Sequence, residues 1–92
     1  MGSRVVVYVT TFCGYCVRVK MLLDRRGIPY DVIDVSGDHE RREWLVGVTK
    51  RRTVPQVFID GVPVGGFDDV SELDRSGRLR ELLDAPPPAP PA

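Results

Sequence analysis

"TTFCGYCVRVK", residues 10–20, sets Cys13 and Cys16 three positions apart between a β-branched run and a helical pattern. Upstream, Val5, Val6, Val7, Tyr8 and Val9 read as a strand covered on both faces of a sheet, and as its central strand. Downstream, Val17, Val19, Met21, Leu22 and Leu23 are interspersed with Arg18, Lys20, Asp24, Arg25 and Arg26, so a helix is expected over residues 13–26. Basic residues in its last turn and Gly27 behind it are the stop signal. The cysteines therefore fall at a strand-to-helix joint.

Working outward, Tyr30 to Val35 reads as a second strand, and Asp38 as the N-cap of a helix running through Val46. Gln56 to Asp60 and Val62 to Val64 are two further strands joined at Asp60-Gly61, a hairpin signal, with Pro63 suited to an edge. Asp69-Val70-Ser71-Glu72 reads as the start of a last helical region, which Ser76-Gly77 breaks before residues 78–83. The helix between the first two strands implies a right-handed parallel crossover, and the DG turn an antiparallel hairpin. The expected fold is α/β: a small mixed four-stranded sheet flanked by helices.

The 92 residues make one domain, expected over residues 3–84. Residues 85–92, APPPAPPA, lack the donors and bulk that packing needs and form an expected disordered, polyproline-type tail. Thirteen basic residues balance thirteen acidic ones, so no overall field points to nucleic acid or an anionic membrane. There is no apolar run of about 18 residues and no secretory leader pattern, so a cytoplasmic protein is expected. In a reducing compartment a structural disulfide is unusual, which leaves catalysis or a metal for the pair.

A closed zinc site asks for four ligands, and only Cys13, Cys16 and His39 stand beside carboxylates here. Two inert core cysteines are the other alternative. At the start of a helix, by contrast, unpaired N–H groups and the helix dipole stabilise a thiolate at Cys13. Cys16 lies one turn inward on the same face, within reach of Cys13. Cys13 can then attack a disulfide and Cys16 resolve the product.

CGYC after a short strand, followed by TVPQVFIDG and VGGFDD, resembles the glutaredoxins, thioredoxin-fold oxidoreductases that use glutathione. The resemblance covers nearly all of residues 4–83 and implies a thioredoxin-like fold with Cys13 as nucleophile and Cys16 as resolving thiol. It implies a cis bond before Pro55 and a groove in which Thr53 and Val54 meet the backbone of glutathione, with Tyr15 as a wall. It also implies that Arg51 meets the glycyl carboxylate and that Gly66, Phe67, Asp68 and Asp69 hold the γ-glutamyl end. Glutathione is then the co-substrate, the partners are glutathionylated or disulfide-containing proteins, and the protein acts as a monomer.

Thr10 stands where many members carry Lys, and Gly14 where CPYC is the commoner form. Glutaredoxins with a small residue at that place include carriers of a [2Fe-2S] cluster between two monomers, which gives Cys13 an alternative role as cluster ligand. TTFCGYC also resembles the mycoredoxins, while GGFDD and TVPQVFIDG fit the glutathione users better.

Overall fold

The computed structural model describes residues 3–86; Met1, Gly2 and residues 87–92, most of the expected tail, lie outside the described residues. The elements are β1 (Val5–Val9), α1 (Gly14–Arg25), β2 (Asp31–Asp34), α2 (His39–Thr49), β3 (Gln56–Ile59), β4 (Val62–Gly65), α3 (Phe67–Ser76) and α4 (Arg78–Asp84). The sheet order is β2-β1-β3-β4, which puts the valine run inside the sheet and Pro63 on an edge strand. β1 pairs parallel to β2 (Val7 with Val32) and antiparallel to β3 (Val7 with Val57). β3 and β4 form the expected hairpin, with a bulge between Val57 and Phe58. The result is a thioredoxin-like α/β fold.

β1 alternates rather than burying every side chain. Val5, Val7 and Val9 are buried with Val57 and Ile59 against Val19, Leu22 and Leu23 of α1, Val70 of α3 and Leu79 of α4. Val6 and Tyr8 face the other side, where α2 alone lies over the sheet and Trp44 meets Tyr8 and Phe58. Leu23 has no exposed surface, so Leu23→Ala removes its burial and leaves a cavity, a loss of about 2–5 kcal/mol.

Two helix limits differ from the sequence expectation. α2 runs past Val46 and Gly47 to Thr49, because the left-handed C-cap falls on Lys50 instead of a glycine. α3 begins at Phe67 rather than at Asp69: Gly66 is the N-cap and Asp69 the third helical residue, its carboxylate accepting from Gly66 N–H at 2.9 Å. Gly77, left-handed at φ +83°, separates α3 from α4 as expected. Among the described residues no helix is long and apolar enough to cross a membrane.

Candidate active site

Cys13 is the N-cap of α1, with extended backbone at φ −154° and ψ 109°. An N-cap side chain normally offers oxygen to the free N–H groups of the first turn; here sulfur does so. Cys13 Sγ accepts from the backbone N–H of Cys16 at 3.1 Å and donates to the carbonyl of Val54 at 3.7 Å. The first turn of α1 holds no acidic residue to oppose the positive end of the helix dipole. Cys13 is part-exposed and Cys16 is buried, and both are free thiols. Burial, with a smaller contribution from the hydrogen bond to Cys13, pushes the Cys16 thiol up to about 11.

The loop that carries Cys13 is tied down from β2. Thr11 N–H donates to Ser36 Oγ at 2.8 Å, Thr11 Oγ1 donates to Asp34 Oδ2 at 3.1 Å, and Ser36 N–H donates to Asp34 Oδ1 at 2.7 Å. The Ser36 backbone N–H, the Ser36 hydroxyl and the Thr11 hydroxyl hold the Asp34 carboxyl below its ordinary range. Sequence reading missed these residues, although Asp-x-Ser after a strand is a side-chain turn signal.

Opposite Cys13, the Val54–Pro55 peptide is cis. Gln56, buried, donates from Nε2 to the carbonyl of Thr53 at 3.0 Å and so anchors the loop from below. The glycine pair lets α3 approach that loop. Gly65 has φ +114°, and a Cβ there would collide with the Asp69 side chain. A Cβ on Gly66 would come 3.2 Å from the carbonyl of Pro55. A Cβ on Gly14 would meet nothing within 4 Å, so packing does not demand a glycine there.

Between these parts runs a groove of about 280 Å³. Tyr15, Arg51, Thr53, Val54, Pro55, Gly66, Phe67, Asp68 and Asp69 line it, so all nine residues expected from the sequence come together. The Tyr15 and Phe67 rings stand 6.1 Å apart, and the Arg18 guanidinium lies 5.3 Å from the Tyr15 ring centre. That last contact, a cation–π pair on a helix, had no signal in the sequence beyond its spacing. Arg51 Nη1 donates to Asp69 Oδ2 at 2.7 Å. This contact, and then the Gly66 N–H, hold the Asp69 carboxyl below its ordinary range. Among the described residues no three His, Cys, Asp or Glu side chains gather as a metal site.

The comparisons with known proteins agree with this geometry. The glutaredoxin family profile matches residues 5–64. The chain belongs to the glutaredoxin family. A glutaredoxin of Pseudomonas aeruginosa is 43% identical over 81 residues, covering 88% of this chain and 96% of that protein. A buckwheat glutaredoxin, solved as a complex with glutathione, is 41% identical with a TM-score of 0.83, over 89% of this chain and 77% of that one. The holo form of glutaredoxin C1 from Populus tremula x tremuloides is 40% identical with a TM-score of 0.84, over 90% and 78%. As a glutaredoxin, the chain is a thiol–disulfide oxidoreductase.

Proposed function

We propose that this glutaredoxin reduces protein–glutathione mixed disulfides, and other disulfides, with electrons drawn from glutathione. One observation carries the reading: the Cys13 sulfur contacts Val54, a wall of a groove that presents a cation, backbone N–H groups and carboxylates in turn. Glutathione is an extended tripeptide with two carboxylates and one ammonium group, and the groove complements that pattern. Val54 offers backbone to the peptide, in the manner of an added strand. Arg51 faces the glycyl carboxylate, supplying a positive charge that Thr10 does not. Phe67 and Asp68 N–H groups, free at the start of α3, receive the γ-glutamyl carboxylate, and the Asp68 and Asp69 carboxylates its ammonium.

Cys13, as thiolate, attacks the glutathione sulfur of a mixed disulfide. A Cys13–glutathione disulfide forms, the old S–S bond breaks, and the protein leaves as a thiolate that takes a proton from water. A second glutathione thiolate then attacks the glutathione sulfur held on Cys13, giving oxidised glutathione and the free Cys13 thiolate. For a protein disulfide, Cys13 forms the mixed disulfide and Cys16, once deprotonated, attacks Cys13 to release the protein. The Cys13–Cys16 disulfide is returned to the dithiol by two glutathiones. A monomer in a reducing, cytoplasmic setting suits this cycle.

The test is turnover of a glutathione mixed disulfide coupled to glutathione reductase. Cys16→Ser is expected to retain turnover and Cys13→Ser to lose it; activity surviving in Cys13→Ser sinks the assignment. The dithiol route carries a pH signature. Burial of Cys16 persists when Cys13 is in a mixed disulfide, whereas the contribution of the Cys13 thiol does not, so release by Cys16 is still accelerating above pH ~8, by up to about tenfold per unit. A rate already flat at neutral pH contradicts it. The [2Fe-2S] alternative asks only Cys13 of each of two chains and gives Cys16 no part. It is checked by anaerobic purification with glutathione, where a brown dimer that depends on Cys13 would favour it.

A further inference from the structure

Thr11, Asp34 and Ser36 lie outside the groove, and the exchange steps give them no part, yet their hydrogen bonds converge on the stretch that leads into Cys13. β1 ends at Val9 and α1 begins at Gly14, so residues 10–13 belong to neither element. Phe12 is 96% exposed and gives this stretch no packing. Gly14, on the other side of Cys13, has no side chain to restrict the backbone there. What fixes Cys13 from its N-terminal side is the hold on Thr11.

That hold is built at the end of β2. Val9 pairs with Asp34 across the parallel ladder, and Val35 N–H donates to the carbonyl of Val9 at 2.9 Å, so Asp34 and Ser36 flank the point where the chain leaves the sheet. Asp34 accepts from Ser36 N–H at 2.7 Å and from the Thr11 hydroxyl at 3.1 Å. Ser36 Oγ accepts from Thr11 N–H at 2.8 Å, and the two hydroxyl oxygens stand 3.2 Å apart. One carboxylate therefore sets the serine that sets the loop. We propose that Asp34 is a positioning residue for disulfide exchange: through Ser36 and Thr11 it keeps Cys13 at the head of α1, where the sulfur meets Cys16 N–H and the carbonyl of Val54. The proposal rests on the reading of Cys13 as the attacking thiolate.

The same loop reaches the second cysteine. The Thr10 backbone N–H bonds to the Cys16 thiol and opposes part of its upward shift, so a loop that slides changes the surroundings of both sulfur atoms. Asp34 does this by geometry and not by charge, since an anion near Cys13 disfavours a thiolate. Thr11, Asp34 and Ser36 are all exposed. Hydrogen bonds at such a place hold a loop locally while adding little to global stability. A change at Asp34 is therefore expected to show in the chemistry of Cys13 before it shows in unfolding.

Two full-length variants separate geometry from charge. Asp34→Ala removes both acceptors. Asp34→Asn removes the same charge but keeps the connections: Oδ1 accepts from Ser36 N–H, and Nδ2 donates to Thr11 Oγ1, whose hydrogen turns to Ser36 Oγ. The experiment measures the rate of Cys13 alkylation by iodoacetamide at pH 7, with the modified residue identified by mass spectrometry, together with kcat and KM on a glutathione mixed disulfide and Tm. Asp34→Ala is expected to slow alkylation and kcat about tenfold each, with KM within about twofold of the parent and Tm nearly unchanged. Asp34→Asn is expected to stay within about twofold of the parent throughout. Parent-like alkylation in Asp34→Ala overturns the proposal, and so does an equal loss in both variants, which assigns the effect to charge. A rise in KM at constant kcat overturns it as well, because it moves the effect to the groove. Alkylation involves no glutathione, so if the parent itself fails to turn over the glutathione substrate, the proposed function falls while alkylation alone still decides the role of Asp34.

Discussion

Two arginine–aspartate pairs, one at the start of β1 and one at the groove beyond its end, use the same chemistry for opposite purposes. Arg4 grips Asp60 at two points, Nε to Oδ1 and Nη2 to Oδ2, both at 2.8 Å, and spends its other donors on the carbonyls of Leu83 and Leu82. Those carbonyls belong to the last turn of α4, where they lack helical partners and where a cation is favoured. Arg51 touches Asp69 through Nη1 alone, at 2.7 Å, and is half exposed. The saturated pair ties the N-terminal strand, the β3–β4 turn and α4 into one unit. The unsaturated pair keeps donors free at the wall of a groove. What separates a structural ion pair from a binding one here is how many of the guanidinium's donors are already used.

The largest effect expected from breaking this comparison is at Arg4. Arg4→Met removes four hydrogen bonds while keeping much of the stem, and leaves Asp60 without its cation. Thermal unfolding is expected several degrees lower, with kcat/KM on a glutathione mixed disulfide unchanged. A loss of activity at unchanged Tm would reverse the roles of the two pairs.

Arg51→Met is the converse and the smaller change. One exposed contact to a carboxylate is worth about 1 kcal/mol, so KM for the glutathione substrate is expected to rise about fivefold, with kcat and Tm nearly constant. A fall in kcat with KM unchanged would put Arg51 in the chemistry and not in binding.

Neither pair was legible in the sequence, although most of what surrounds them was. CGYC and GGFDD are local patterns whose spacing sets local geometry, so the cysteine at the helix start and the glycine turn could be read from adjacent residues, whereas the cis bond before Pro55 followed only from the resemblance to the glutaredoxins. Arg4 and Asp60 lie 56 positions apart, and Arg4 and Leu83 79 apart. Only the sheet order brings them together, and TKRRT gave no reason to choose Asp69 as the partner of Arg51. The start of α3 was misplaced because Asp69 serves equally well as an N-cap or as the third helical residue reaching back, and Gly66 has no side chain to announce itself. α2 ran past its expected end at Val46 because the helix carries Gly47 within it and its left-handed cap falls on Lys50. The open face of Trp44 follows from α2 standing alone over that side of the sheet.

The finest test separates the two carboxylates by what else holds them. Both lie below the ordinary carboxyl value of 3.8. Each therefore contributes stability that is present above the unfolded value and lost as pH falls through the lower folded one. For Asp60 the hydrogen bond from Arg4 is the main cause and its charge a further one, while burial works against both. Arg4→Met removes everything that favours the anion, and Asp60 is expected to titrate at or above its ordinary value, so its contribution to acid stability vanishes. For Asp69 the hydrogen bond from Arg51 comes first and the Gly66 N–H second. The backbone donor survives Arg51→Met, and Asp69 is expected to return only part of the way. Carboxyl titrations followed by NMR in the two variants measure both shifts. Equal recoveries would mean that the Gly66 N–H contributes little, and that Asp69 owes its place in the groove to Arg51 alone.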